Sequence, residues 1–455
     1  AGALYTPYGG ACQRPVSQSG TPLPIEGAQT TTTPMPRLAA KGHLLFVAYH
    51  FPPHRTVASL RTWNLAKQLA LRGWQLTVLT LDPGLWLRRE EAHPIVLGDI
   101  PPNLHLLRVR PHLRWVNTDE WHQRTPRLNW WLGAPLRRLF RLFAIELSVG
   151  WLPSALCACP RLDANPPDLI LATGGPFLSS FVLARRLALR FNAPYALDYR
   201  DLWTTGNPHT HSPFLAWQRP LERAIGRRAA AIVTVSHGLA QNLHKCLALH
   251  QPVHVITNGY DPDLLSTVQP IQFPEPAIVY AGTLYPPLRT LTPLFAALKL
   301  LDHPNLQWSF HYYGSSTSLV AKDVQRFHLV HRTHLHGEVP HAVAAAAAKG
   351  AHCAVVVVST ARRANANEAG ILTGKLFELL GLGAEVLLIA PEDSEARLLL
   401  NGRAQAFCGD EIPGIASFLR SVVTQPRTTY APAIQYSWCH LADLYDNVLT
   451  QQNFP

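Results

Sequence analysis

From Gly42 onward, short runs of aliphatic and β-branched residues alternate with amphipathic stretches, the pattern of parallel strands covered by helices. His43 to Tyr49 reads as a first buried strand. Trp63, Ala66, Leu69 and Ala70 then share one helical face, the helix is expected to end near Gly73, and Gln75 to Thr80 returns as a second strand. Further strands are expected at Leu104 to Val109, Asp168 to Ala172, Tyr195 to Asp198, Ala231 to Val235 and Val253 to Ile256, which together make a complete doubly wound α/β sheet.

Thr257 to Pro276 interrupts this rhythm with Asn258-Gly259, Pro262, Pro270, Pro274 and Pro276. The alternation restarts at Ala277 to Ala281 and continues at Gln307 to Tyr313, Thr333 to His336, Cys353 to Val358, Glu385 to Ala390 and Ala404 to Cys408. A last helix is expected at Trp438 to Leu449. The organisation read from this is a first domain over 35–256, a linker over 257–276, a second domain over 277–425, and a loop with a crossing helix over 426–455. Residues 1–34 lack any sustained apolar period and read as a disordered leader ahead of a start at Met35, the sole methionine. Two tandem sheets of this kind place a ligand cleft between their carboxyl edges.

Composition narrows the picture. With 47% hydrophobic and 15% charged residues over 455 positions, the chain has enough apolar material for large cores and is not a disordered or fibrous protein. No uninterrupted apolar run reaches the length of a membrane span, since the alanine-rich stretch from Ala342 is broken by Lys349 and His352. The seven cysteines, Cys12, Cys157, Cys159, Cys246, Cys353, Cys408 and Cys439, show no paired C-x-x-C spacing, which points to free thiols in a reducing cytoplasm. No histidine pattern matches a metal site, and Asp261-Pro262-Asp263 reads as turn geometry, so no metal is expected.

The net charge of +11 is uneven: eight arginines and only Asp119 and Glu120 lie between Arg108 and Arg141, interleaved with Trp115, Trp121, Trp130 and Trp131. A helix is expected at Ala134 to Leu147, with an apolar stripe of Leu136, Leu139, Phe140, Phe143 and Leu147 flanked by Arg137, Arg138 and Arg141. The stripe suits an anionic membrane surface or packing on the first sheet, and both hold if only the flank touches lipid. No nucleic-acid module signature is present, and no nucleic-acid partner is expected. The expected location is cytoplasmic, peripheral on the inner face of the plasma membrane.

The first strand runs into Tyr49-His50-Phe51-Pro52-Pro53-His54 and not into G-x-G-x-x-G, which argues against a nicotinamide dehydrogenase. The run FVAYHFPPHRTVASLRTWNLAKQLALRGWQLTVLT resembles the opening of family 4 GT-B glycosyltransferases, particularly those of bacterial polysaccharide synthesis. PPDLILATGGPFLSSFVLARRL, APYALDYRDLW, AAIVTVSHGLAQNL, VHVITNGYDPD, IVYAGTLYPPLRTLTPLFAAL and GILTGKLFELLGLGAEVLLIAPEDSEA continue the resemblance in the same order from about Gly42 to Tyr445.

The resemblance implies two Rossmann-like domains facing across a cleft, with the C-terminal helix returning to the first. It implies a nucleoside-diphosphate sugar held by the second domain and a saccharide or lipid-linked saccharide acceptor held by the first, with no cofactor. Transfer with retention of configuration is expected. On the donor side it points to Gly282, Thr283, Arg289, Gly314, Glu368, Gly370, Lys375 and Glu378. Arg289 and Lys375 would face the diphosphate, where charge accumulates as the glycosidic bond breaks, and Glu378 would accept ribose hydroxyls. The residues alone also allow Arg289 to be a solvated arginine in a tight turn, and Lys375 with Glu378 to be a surface ion pair.

The chain departs from the family in one respect. Retaining members carry a second glutamate upstream of the Glu378 position, where this sequence has Gly370 in its place and Glu368 nearby. On the acceptor side, Thr173, Gly174, Gly175, Asp198, Arg200 and Asp201 follow buried strands, and His54 and Arg61 follow the first. Asp198 is equally suited to capping or to pairing with Arg200. An inverting reaction would need a carboxylate or histidine as base, with Asp201 and His54 the candidates, whereas in a retaining one the leaving phosphate takes the proton. Two other functions stay open: a GT-B-like nucleotide-sugar epimerase, and a non-catalytic sugar-nucleotide-binding partner in an assembly complex.

Overall fold

Seven parallel strands form the first sheet: β1 (His43–Val47), β2 (Gln75–Leu81), β3 (Leu104–Val109), β4 (Leu169–Thr173), β5 (Tyr195–Tyr199), β6 (Ala231–Thr234) and β7 (Val253–Val255). Six form the second: β8 (Ala277–Ala281), β9 (Ser309–Tyr313), β10 (Thr333–Gly337), β11 (Cys353–Val357), β12 (Val386–Ile389) and β13 (Ala404–Phe407). This computed structural model describes residues 41–54, 56–82, 99–111, 127–205, 214–364, 370–400 and 404–451. The leader expected over 1–34 lies outside them.

The strand orders are β3-β2-β1-β4-β5-β6-β7 and β10-β9-β8-β11-β12-β13. Each sheet therefore reverses its winding once, between β1 and β4 and between β8 and β11, and leaves a crevice at the carboxyl ends of those strands. Each strand expected from the sequence is present, with ends shifted by at most two residues. Their burial explains why they were legible: β1, β4 and β5 are buried along their whole length, as strands covered on both faces must be.

The helix Val57–Leu71 starts where the Thr56 hydroxyl accepts the Ser59 amide at 3.1 Å, and it buries Trp63, Leu65, Ala66 and Leu69 on the first sheet. The last helix, Trp438–Thr450, packs into the same core through Trp438, Leu441, Tyr445 and Leu449. The helix that follows the second sheet thus returns to the first.

One helix differs from expectation. The arginine-rich helix spans Arg127–Leu142, not Ala134 to Leu147. It stops because Ala144 takes a left-handed φ of 54° and Ile145 donates back to the Phe140 carbonyl at 2.7 Å, closing the last turn. Leu139 and Phe143 of the apolar stripe are exposed, as is Leu142 beside them, so these side chains do not pack on the sheet.

A buried polar network ties the first sheet to the return of the chain. Arg61, on the first helix, donates to Asp198 at the end of β5 at 2.9 and 3.3 Å, to Asn258 Oδ1 at 2.9 Å and to the Thr257 carbonyl at 3.3 Å. Tyr445 and Thr173 donate to the same carboxylate at 2.9 and 3.0 Å, and the Arg61 guanidinium lies 5.4 Å from the Trp438 ring centroid. Asp198 is 1% exposed and Arg61 4%. Removing one member strands the other's charge in the interior. Asp198→Ala is accordingly expected to lower unfolding free energy by about 3–5 kcal/mol in urea titration, and Tyr445→Phe by about 1 kcal/mol.

Candidate functional site

At the winding reversal of the second sheet, the loops after β8, β9 and β10 surround a cavity of about 270 Å³, backed by the helices His341–Gly350 and Gly374–Leu382. Gly282 and Thr283 follow β8, Gly314 and Ser315 follow β9, and Glu338 and Val339 follow β10. The apolar wall is small, because the helix His341–Gly350 contributes Ala344, Ala345 and Ala348. Polar groups gather at the mouth, and alanines leave room behind them.

Lys375 sits in the first turn of the helix Gly374–Leu382 and folds back over the end of β8, its Nζ 5.5 Å from the centroid of the Tyr280 ring. The ammonium occupies the space a side chain on Gly282 would fill. Burial pushes the Lys375 pKa down to about 8; Glu378 pulls it back up, and the positive charge of Arg289 adds to the fall. The β8 loop closes against its neighbour as well: a Cβ on Gly314 would strike the Gly282 carbonyl. The two glycines let backbone and ammonium crowd into a shell that can meet a phosphate closely.

Glu378, one turn after Lys375, also lines the cavity and pairs with His341 at the start of the opposite helix. Arg289 ends a tight loop in which Tyr285 and Arg289 exchange backbone hydrogen bonds at 3.1 and 3.0 Å. Its Nε donates to the Val358 carbonyl at 3.0 Å, beyond β11, so the guanidinium is anchored beside the cavity mouth. Thr283 reaches Ser315 through hydroxyls 3.2 Å apart. The structure thus brings Gly282, Thr283, Gly314, Lys375 and Glu378 to one cavity, with Arg289 beside it.

Two donor-side candidates fall elsewhere. Gly370 lies against the first half of the molecule, where a side chain on it would meet Ser236 and Leu239. Glu368 is outside the described residues. Close by, the Glu395 carboxylate accepts the His237 and Gly238 amides at 2.8 and 3.0 Å, so the second half caps the helix His237–Leu247 of the first.

On the first sheet, four of the acceptor-side candidates are already engaged or crowded within the protein. Arg61, Asp198 and Thr173 saturate one another in the buried network, and the space beside Gly174 is taken by Phe177 and Phe181. Asp198 neither caps a helix nor pairs directly with Arg200. The remaining candidates line the other winding reversal. His54 stacks on His50 with centroids 5.4 Å apart, Arg200 rests against Gly175, and Asp201 stands 3.8 Å from Arg200 with its side chain 42% exposed.

His50, Tyr313, Glu338 and His341 were not singled out from the sequence. Their signal was positional, since each stands at or just beyond the carboxyl end of a strand, but none belongs to a recognisable motif. Asp261 caps the helix Pro262–Ser266 by accepting the Asp263 and Leu264 amides at 3.0 and 3.3 Å. Among the described residues, no three His, Cys, Asp or Glu side chains converge as metal ligands do.

The contact between Gly282 and Lys375 makes a specific prediction. A methyl at this position, in Gly282→Ala, displaces the ammonium towards solvent. Its pKa, followed by NMR of the lysine side chain, is expected to rise from about 8 towards the ordinary 10.5. An unchanged titration would show that Lys375 is not held by this contact.

Residues 58–259 match the model of the glycosyl transferase 4-like domain. No curated protein matches the chain in sequence. Among solved structures, sucrose-phosphate synthase from Thermosynechococcus elongatus superposes with a TM-score of 0.63 at 14% identity, covering 90% of this chain and 99% of that one. A UDP-forming α,α-trehalose-phosphate synthase from Burkholderia xenovorans gives 0.57 at 12% identity, with 91% and 100% covered. A lipopolysaccharide outer core galactosyltransferase gives 0.53 at 11%, with 90% and 99% covered. These likenesses are of fold, and they extend over both sheets. Residues 58–259 are a glycosyl transferase 4-like domain, the fold that contains them is GT-B, and the chain is a glycosyltransferase.

Proposed function

We propose that the second-sheet cavity holds a nucleoside-diphosphate sugar and that the chain passes the sugar to a saccharide or lipid-linked saccharide bound at the carboxyl edge of the first sheet. The observation that carries this reading is the buried ammonium of Lys375, seated on Gly282 at a winding reversal, with Arg289 beside it. Two cations in a partly dry site favour a ligand whose negative charge grows during reaction.

In this reading, Lys375 and Arg289 receive the charge released to the diphosphate as the bond between the anomeric carbon and the diphosphate oxygen breaks. The glycines let the phosphates approach the β8 and β9 loops, and Glu378, oriented by His341, accepts ribose hydroxyls. The new bond forms from the acceptor oxygen to the anomeric carbon. Its proton passes to the departing phosphate oxygen if configuration is retained. Asp201 is the more accessible carboxylate for that proton if it is inverted, since Asp198 is sealed in the core. We favour retention, and no metal takes part.

The surface of the first half supports work at a membrane in polysaccharide or envelope synthesis. Leu139, Leu142, Phe143, Phe214 and Trp217 are exposed together. The Phe143 and Phe214 rings lie 5.5 Å apart, and Trp217 Nε1 donates to the Phe143 carbonyl at 2.7 Å. Arg138, Arg141, Arg219 and Arg227 flank them, exposed on the same two helical segments. Aromatics ringed by arginines suit an anionic bilayer surface. Among the described residues no helix is long and apolar enough to cross a membrane.

Thermal shifts with UDP, GDP, ADP and dTDP should identify a stabilising nucleotide. Because binding re-protonates Lys375, calorimetry at about pH 8.5 in two buffers of different ionisation enthalpy is expected to show uptake of roughly half a proton or more, abolished in Lys375→Met. Lys375→Ala and Arg289→Ala should each reduce kcat/KM for the donor by about 2–4 kcal/mol in transition-state terms. Unchanged donor kinetics in both variants would overturn the assignment, and epimer formation from donor alone would reassign the chemistry. Flotation with anionic but not neutral vesicles, weakened in Phe214→Ser/Trp217→Ala, tests the membrane surface.

A further inference from the structure

The winding reversal of the first sheet carries a loosely paired arginine that the donor chemistry does not use. Arg200, directly after β5, lies across the turn that follows β4. A Cβ on Gly175 would stand 2.7 Å from its Nη2, so only glycine lets the guanidinium lie this close to the backbone. Gly175 also takes a φ of 72°, a second reason for glycine here. Among the described residues, Arg200 Nε is shielded from solvent and has no hydrogen-bond acceptor. The nearest carboxylate oxygen, on Asp201, is 3.8 Å away, and that side chain is 42% exposed.

Of the two acids nearby, only Asp201 is left to Arg200. Asp198, the closest buried carboxylate on the same strand end, is already matched by Arg61. From the loop after β1, His50, stacked on His54, comes within electrostatic reach of Arg200, and burial together with that charge holds His50 down to about 3. At the end of β3, Arg108 reaches the same loop through the Pro52 carbonyl at 3.4 Å. Loops after three different strands, β1, β4 and β5, converge here, where open α/β sheets bind ligands. An arginine in such a place, held only by a loose ion pair to the half-exposed Asp201 and with its Nε given no hydrogen-bond acceptor, is matched by a planar or tetrahedral oxyanion that accepts two parallel N–H bonds.

We propose that this cluster grips a phosphate carried by the acceptor, so that the chain glycosylates a phosphorylated acceptor, either a free sugar phosphate or a sugar linked to a lipid through a diphosphate. The proposal rests on the transferase reading and names the acceptor class for it. Arg200 supplies the charge, and the Gly175 turn lets the phosphate approach the backbone. The acceptor hydroxyl then faces the donor cavity across the cleft, while the phosphate is neither formed nor broken.

The test uses the full chain and four acceptors: a hexose phosphate, a short-prenyl diphosphate sugar, and the matched uncharged glycoside of each. One phosphorylated acceptor is expected to exceed its uncharged match in kcat/KM by roughly tenfold or more, and which one does so distinguishes the soluble from the lipid source. Arg200→Gln should reduce that ratio by about tenfold, and Arg200→Lys should recover part of it because the charge returns without the fork. A ratio near one in the native chain, or one unaffected by Arg200→Gln, overturns the proposal.

A second measurement separates this from the donor reading. With the donor cavity saturated by the stabilising nucleoside diphosphate, inorganic pyrophosphate is expected to raise Tm further in the native chain and not in Arg200→Gln. Absence of that second rise counts against the acceptor phosphate, whereas absence of any nucleotide-induced rise counts against the donor site. Retained nucleotide binding by Arg200→Gln shows that the variant is folded.

Discussion

The ion pair between Arg61 and Asp198 is the contact on which the first half of the molecule depends. One guanidinium reaches four elements: the helix that carries it, the end of β5, the Thr257–Asn258 segment leaving the first sheet, and Tyr445 on the final helix. Because both charges are buried, the geometry has to be satisfied as a whole. The pair therefore does more than hold β5 to a helix. It sets where the chain leaves the first sheet and where its C-terminal helix comes back, and so where the second sheet begins.

That arrangement exposes two similar edges. Each sheet reverses its winding once, each reversal has glycines in its loops, and each holds basic side chains: Lys375 and Arg289 in one half, Arg200 beside the neutral His50 in the other. The difference lies in what confines them. In the second half, small alanines and two helices enclose a cavity, and desolvation lowers the pKa of Lys375. In the first half the space nearest the helix Phe177–Phe191 is already filled by aromatic rings and by the Glu146 carboxylate, which accepts the Phe177 and Leu178 amides at 2.7 and 2.8 Å. A ligand there is left with the Gly175 turn and Arg200.

Two contacts join the halves at the cleft edge. Glu395 caps the helix His237–Leu247, and Gly370 lies against Gly238: a side chain on Gly370 would strike Leu239 and Ser236, and one on Gly238 would crowd the Gly370 backbone at 3.0 Å. The glycine that stands where the resemblance implied a second glutamate thus permits close contact across the cleft. A glutamate here would need the halves to part or the loop to move. The departure read in the sequence is, in the structure, a packing choice.

Most of the fold was legible from local pattern. Buried parallel strands are continuous apolar runs and the covering helices are amphipathic with a period of 3.6, so the strand positions and the two tandem α/β sheets follow from local pattern that needs no distant partner, whereas GT-B was implied by the family resemblance. Lys375 with Glu378 was legible for the same reason, since three residues along a helix place both on one face. The helix Arg127–Leu142 was misplaced because its stop depends on a single left-handed residue, Ala144, that no motif announces. Asp198 and Asp201 show what only tertiary structure decided. They stand three residues apart in one strand-end motif, yet one is sealed against Arg61 and Tyr445, residues 137 and 247 positions away, and the other is half open beside Arg200. Local sequence sets which element a residue belongs to; whether its charge is spent in the core or left for a ligand depends on partners that arrive from elsewhere in the chain.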